Sequence, residues 1–448
     1  MKEKTVVVSR KRSGIKDFNF TEEMVRKTNS EKINRIREEA YQVYKNTPLP
    51  TTREEAWRRT DLRPLKVDQF MVADSSASQV NVSAVPENLL KPLAHGEHGG
   101  QIILRGSEVK TLLDKSLSDK GVIFCDLLTA EKKYPQLLEK ILGQIIQPSS
   151  GKFAAIATAF ATNGVLLYVP KNVVVDAPLH SLIWGAAAGG ANIAHIMVYL
   201  EQGASATYVH EVASKTLEGK QSFFASNIEL YVGPNASFNF VELQSWGQHV
   251  WNFTHERVQV DRDAHVDWIF GAIGGKLTKN FADLDLISQG AVGKMSGFYF
   301  TDKQQHLDYD SQQNHKAPNT LSDLLFKGAL VEESRSVWQG MIYVAPGADK
   351  TDGYQANRNL LLSRNARADS IPGLEILADD VRCTHGATVG KIDENQIFYL
   401  MARGIPRLDA ERLIVEGFFD PIMERIPYEG VRERFQAAIT EKMSAYHG

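Results

Sequence analysis

The feature that most restricts how this chain can fold is a spacing. The pairs Gly203-Ala204, Asn235-Ala236, Asp263-Ala264 and Gly290-Ala291 set four alanines 32, 28 and 27 residues apart, each behind a residue suited to a tight corner. Short β-branched and aromatic runs flank every corner: 196–200 then 207–210, 228–232 then 238–243, 257–260 then 266–270, and 284–287 then 295–300. One such unit cannot bury its own apolar face, but stacked units share a core, so a strand repeat near 28 residues predicts a solenoid. No helical pattern of about 10–15 residues separates the strands, which argues against a doubly wound sheet. An antiparallel sandwich built of hairpins is the alternative that the pattern leaves open.

Helical texture flanks this region on both sides. Ile33, Ile36, Ala40, Val43 and Tyr44 form one apolar stripe over 31–45. Thr47-Pro48-Leu49-Pro50 stops that helix, and Thr51 or Thr52 is placed to cap a second one through Glu54 and Glu55. The polar stretch 75–81 reads as a linker, and 122–125 reads as a short strand in which Cys125 is a packed core thiol. Beyond Val389, Asp393 with Gln396 starts a helix that Gly404 ends, and Pro406 opens the next, with Leu408, Leu413, Ile414, Phe418 and Phe419. Pro421 and Pro427 are expected to break it, leaving 428–446 as a final amphipathic segment. The domains expected are therefore 1–150 (helices and a small α/β region), 151–389 (solenoid) and 390–448 (helices). The last helices either cap the stack or form a docking surface, and Phe418-Phe419 exceed what a one-sided helix needs to bury.

Composition narrows function. A net charge of −3 with 23% charged residues offers no field for nucleic acid or an anionic membrane. No apolar run is long enough to span a bilayer, and Met1 to Arg12 lacks a signal peptide's apolar core, so a cytoplasmic protein is expected. Phosphate-loop and nucleophile-elbow motifs are absent, and Gly271-Ala272-Ile273-Gly274-Gly275 reads as a corner inside the repeat. The repeats show no cluster of carboxylates or bases such as a polysaccharide-active solenoid enzyme would need, which favours a non-catalytic chain.

Only two cysteines occur in 448 residues, and one of them opens the run Cys383-Thr384-His385-Gly386-Ala387-Thr388-Val389-Gly390. Thiol and imidazole at i and i+2 share a face of a strand, and together they suit soft and borderline metals, iron included. Two ligands cannot hold a metal, so a second chain must complete any such site. The stretches 315–320, 327–330 and 351–363 repeat amide and hydroxyl side chains at i and i+2, as ladders along stacked coils would.

Trp57-Arg58-Arg59-Thr60-Asp61-Leu62-Arg63-Pro64-Leu65, Lys327-Gly328, residues 357–363, the run from Cys383 to Gly390, Phe398-Tyr399-Leu400 and Arg403-Gly404-Ile405 together carry a family resemblance. From about residue 30 to its end the chain resembles the SufB/SufD family of iron–sulfur cluster assembly proteins. In SufB the element matching Cys383 to His385 carries Glu-His-Glu and the strand before it a cysteine. Here 359–363 has none, which places the chain nearer the SufD branch. Arg59 stands where the family often has an aromatic. The resemblance implies a right-handed parallel β-helix between N-terminal and C-terminal helical domains. It also implies a scaffold role in a complex with a SufB-like paralogue and a SufC-like ABC ATPase. The ATPase contact would lie on the C-terminal helices, at Leu413, Ile414, Phe418 and Phe419, and the SufB contact at the last strands. His385 and Cys383 would then be transient ligands for iron or a nascent cluster, aiding iron uptake, with no tightly bound cofactor. Whether the isolated chain pairs with itself, and whether a flavin joins the complex, the sequence leaves open. A polysaccharide-active enzyme and a purely structural interaction module are the rival readings.

Overall fold

The structure, a computed structural model, describes residues 16–72, 84–91, 98–426 and 428–447. The linker expected at 75–81, the segment 1–12 and Pro427 lie outside the described residues. Two ten-stranded sheets dominate the fold. One runs through Gly190–Leu200, Ser222–Val232, Val250–Val260, Leu277–Leu286, His306–His315, Arg335–Val344 and Arg367–Ile376. The other runs through Ser205–Ala213, Ser237–Ser245, His265–Ala272, Val292–Thr301, Leu321–Leu330, Asp352–Leu361 and Arg382–Lys391. Strands alternate between the sheets along the chain, and each pairs in parallel with the strand one repeat later, as Val232 with Val260 and Ser237 with His265. Hairpins would have paired neighbouring strands antiparallel, so the sandwich is excluded. The fold is a parallel β-solenoid of about eight turns.

The corners explain the spacing. Asn172, Gly203, Asn235, Asp263, Gly290, Asn319 and Lys350 all take positive φ, a conformation that glycine, asparagine and aspartate tolerate best. Their amides reach the next coil: Gly203 N to Pro234 O at 2.8 Å, Asn235 N to Arg262 O at 2.9 Å, Asp263 N to Gln289 O at 3.1 Å. The alanines that follow, Ala204, Ala236, Ala264 and Ala291, are fully buried, where a larger side chain would crowd the turn. Inside, Tyr208, Phe238, Phe240, Trp268, Phe270, Phe326 and Trp338 fill the space between the sheets.

The sheets begin before residue 151. Gly100–Arg105 extends one and Ile123–Asp126 the other, so no break in pairing falls at 150. Burial and the neighbouring Asp126 carboxylate push the Cys125 thiol up to about 12, which makes it an inert core residue. Helix Glu31–Asn46, capped by Ser30, packs with the buried helix Lys152–Phe160 over the outer face of the first sheet. Glu229 fixes the connection before that helix: its carboxylate accepts from the amides of Gly143, Ile145 and Ile146 at 2.7, 2.7 and 3.0 Å and meets His195 Nε2 at 2.6 Å. The second helix expected after Thr51 shrinks to a single 3₁₀ turn, Glu55–Trp57. Tertiary packing overrides the cap, because Trp57 turns into a cluster with Phe153, Phe253 and Phe281. Thr60 then bonds Asp308 and lies 3.0 Å from His306 Nε2, which anchors the Trp57-to-Leu65 motif to the solenoid wall.

At the other end Asp393 caps helix Glu394–Ala402, Gly404 turns the chain at φ 89°, and helix Arg407–Met423 follows. The expected break at Pro421 does not occur. That proline sits in the last turn and faces Gly417 four residues back, where no side chain adds to the crowding. This helix and Glu429–His447 do not cap the stack. Val415, Phe419, Ile422, Met423, Phe435 and Ile439 pack along the outer face of the second sheet against Val241, Ile269, Phe298 and Ala329. Phe419, fully buried with its ring 5.8 Å from that of Phe298, should therefore be a stability residue. F419A is expected to destabilise the fold by about 3–5 kcal/mol, against less than about 0.5 kcal/mol for exposed Leu413→Ala, read as thermal-unfolding midpoints.

Candidate functional site at the open end of the solenoid

The last coil consists of Arg367–Ile376 and Arg382–Lys391, and each is the edge strand of its sheet. Which side chains point inward follows from the pleat. In Asp352–Leu361, residues Gly353, Gln355, Asn357 and Asn359 are buried while Asp352, Tyr354 and Arg358 are exposed. Their in-register partners on the edge strand are Cys383, His385, Ala387 and Val389, so these four face the interior. The opposite edge strand contributes Ala368, Ser370, Pro372, Leu374 and Ile376 by the same rule. No further coil follows among the described residues. Leu374, Ile376 and Val389, which would be core one coil earlier, are accordingly 37%, 38% and 46% exposed.

Cys383 and His385 do share this inward face, and their surroundings differ. Cys383 is half-buried beside Ile342, Val344 and Ala348. It lies over Gly353, where a Cβ would come within 3.3 Å of both Cys383 Sγ and His315 Nε2, so the glycine keeps open the space between thiol and imidazole. Burial pushes the thiol up from its ordinary range and the Asp352 carboxylate adds to this, against a hydrogen bond from the Gly353 backbone. The thiol is thus protonated at neutral pH and a poor nucleophile as it stands. His385 is exposed at the mouth, in register with buried Gln355. Gln355 Nε2 donates to Gly373 O at 2.8 Å, while its Oε1 has no protein partner. Among the described residues no group of three histidine, cysteine, aspartate or glutamate side chains gathers as a metal site. Whatever this pair holds, further donors must come from elsewhere.

The polar stretches nearby are ladders, as their pattern predicts. His315 lies 2.7 Å from Thr320 Oγ1 and 2.9 Å from Ser322 Oγ, and Thr320 lies 3.2 Å from Thr351 Oγ1. Asn359 donates to Asn357 and receives from Tyr299. Lys327 Nζ donates to the carbonyl of Phe418 and lies 4.8 Å from its ring, tying the C-terminal helix to the sheet.

That contact corrects part of the expected docking surface. Phe419 is core and presents nothing to a partner, because the sheet offers it an apolar seat. Phe418 and Ile414 are partly buried, and Leu413 is exposed. Further exposed apolar side chains lie just upstream: Phe398 and Tyr399 are 73% and 57% exposed, with Met401 and Leu408 also exposed on the two paired helices. The signal was present in Ile397-Phe398-Tyr399-Leu400-Met401, five consecutive apolar residues, of which only Ile397 is buried.

Comparison with known proteins agrees over both halves of the chain. The family model described as SUF system FeS cluster assembly, SufBD core domain, matches residues 183–418, and that described as SufBD protein N-terminal region matches 9–180. The iron–sulfur cluster assembly protein SufD of Bacillus subtilis is 31% identical over 333 residues, 74% of this chain and 76% of that protein. An iron–sulfur cluster assembly SufBD family protein of Staphylococcus saprophyticus is 29% identical over 320 residues, 71% and 68% of the two chains.

The two thiols should separate by reactivity. In the native protein at pH 7.5 a disulfide reagent is expected to modify Cys383 slowly and Cys125 only on unfolding, with the Cys383 rate rising as pH passes the ordinary thiol range. Thiol counting against time checks this, and a fast native reaction of Cys383 would contradict its assigned environment.

Proposed function

This chain belongs to the SufBD family of iron–sulfur cluster assembly proteins, and on that premise we propose that it is a non-catalytic scaffold subunit of a cytoplasmic SUF assembly complex. Its last coil pairs with a SufB-like paralogue, and its C-terminal helix pair receives a SufC-like ATPase. The observation that carries this reading is the last coil: two edge strands that pair with no further strand among the described residues and a half-exposed apolar rim, with an imidazole and a thiol on its inner face. Such edges pair with a further strand or chain.

Iron or the nascent cluster is here a cargo. The exposed imidazole of His385 can reach iron without rearrangement of the coil, and a ring nitrogen binds iron directly. Cys383 must first release its proton to water, with the resulting thiolate stabilised by a metal or by a cationic group brought by the partner, so it joins second. Mixed imidazole and thiolate ligation is a known mode for iron–sulfur centres. Family membership speaks against the polysaccharide-active enzyme, and the accessible His385 speaks against a purely structural module.

Replacing His385 with alanine is expected to abolish cluster formation by the reconstituted complex while all three subunits still copurify, with ultraviolet–visible absorbance as readout. Normal cluster yield from that variant would remove His385 from the site. On the helices, F398D and L413D should each weaken capture of the ATPase by about tenfold or more, the cost of one interface anchor, with an unchanged circular-dichroism spectrum. Undiminished capture by both variants would move the ATPase contact elsewhere.

A further inference from the structure

Along one edge of the solenoid the corners that carry the chain from the second sheet back to the first lie one above another. Lys303, Glu332 and Arg364 each stand three residues before His306, Arg335 and Arg367, which pair in register, so the three occupy one column. Lys276 belongs to the corner one coil earlier, where its carbonyl accepts from His306 N at 3.1 Å. These corners enclose an open cleft of about 650 Å³ in which every lining side chain is polar or charged. Sites for small molecules run from about 300 to 1,000 Å³, so the cleft has room for more than a single ion.

The acids along this edge are engaged, and the cations are not. Asp302 takes Lys442 Nζ at 2.9 Å and Gln248 Nε2 at 3.2 Å. Glu332 turns back to accept from the backbone amide of Lys303, and Glu333 accepts from Gln304 Nε2 at 3.3 Å. Among the described residues no acid forms an ion pair with Lys276, Lys303 or Arg364, although all three line the cleft. The backbone adds a second sign. Gly275 holds the positive φ of its corner at 87°, but on the next two coils Lys303 and Glu332 hold it, at 52° and 57°. Glycine or asparagine would take that conformation with less strain, and residues kept there against preference gather where ligands are clamped.

We propose that this cleft binds a small polyanion, a soluble molecule carrying two or three carboxylate or phosphate groups, between Lys276, Lys303 and Arg364. An arginine fork matches a carboxylate or phosphate edge, and the two ammonium groups supply point charges that tolerate either shape. A polar lining gives an apolar ligand nothing to gain. Arg364 belongs to the corner that opens the last coil, so a bound anion ties that corner to the two before it. Neither Cys383 nor His385 takes part, and the site stands whether or not they handle clusters.

Isothermal titration calorimetry on the full-length protein tests this, with citrate and pyrophosphate as probes and acetate as the singly charged control at equal ionic strength. One probe molecule per chain is expected, bound at least about tenfold more tightly than acetate. Citrate alone would mark a carboxylate ligand, pyrophosphate alone a phosphate, and binding of both the chemistry they share. K303N and R364Q should each weaken binding by about tenfold or more, the loss of one charge-assisted contact. K110Q removes the same charge from an exposed strand at the far end of the stack and should bind like the parent. Asparagine holds positive φ more readily than lysine, so K303N is expected to fold with a thermal midpoint no lower than the parent's. Neither probe binding more tightly than acetate, K303N and R364Q binding as the parent does, or K110Q weakening binding equally would each overturn the proposal.

Discussion

Each coil of this protein can bury its apolar inner face only against the coil beside it, and the rest of the structure follows from that dependence. Parallel pairing one repeat apart keeps inward residues above inward residues, so aromatic and aliphatic side chains stack continuously between the two sheets. The positive-φ corners exist to bring the chain round in register, and the small residue after each keeps the turn tight. A stack of this kind also has ends, and an end is where the dependence goes unsatisfied.

The N-terminal and C-terminal additions deal with different parts of that problem. Residues ahead of the repeat close one end with strands that turn antiparallel, Ile123–Asp126 on one sheet and Glu108–Leu113 on the other. The helices around Trp57 and Lys152 cover the flank of one sheet, held there by Glu229, Thr60 and a cluster of phenylalanines. The C-terminal helices cover the flank of the other sheet and stop short of its last strand's inner face. Among the described residues one coil is thus left open, and a histidine and a cysteine stand on that coil's inner row. Structure and chemistry coincide there: the surface left uncovered among the described residues is also the surface that carries the imidazole and the thiol.

Electrostatics distinguishes the two polar features of the interior. At the mouth the thiol is neutral by partial burial and the imidazole is in contact with solvent, so the site is poised to change when something closes over it. Deep inside, burial works against ionisation of Glu242 and Glu256, which meet within hydrogen-bonding reach, and the Glu242 charge further raises Glu256. Membership of a cluster-assembly family makes the first feature intelligible.

The sequence by itself determined the repeat, because corners that need glycine, asparagine or aspartate followed by alanine leave a mark that spacing reveals. It also determined the strand facing of Cys383 and His385, since a two-residue interval in a strand has only one geometric meaning, and it placed the helix boundaries at Asp393 and Gly404 through local capping. Tertiary structure alone decided what lay against what. It turned Thr51 to Trp57 away from a helix and into an aromatic cluster, carried a helix through Pro421, and sent Phe419 inward while leaving Phe398 and Tyr399 outside. It also brought Glu242 and Glu256 together from strands on opposite sheets. Local rules fix which conformations a segment prefers, whereas burial and proximity are properties of the whole stack. Side chains 14 residues apart in sequence meet only because a coil closes between them.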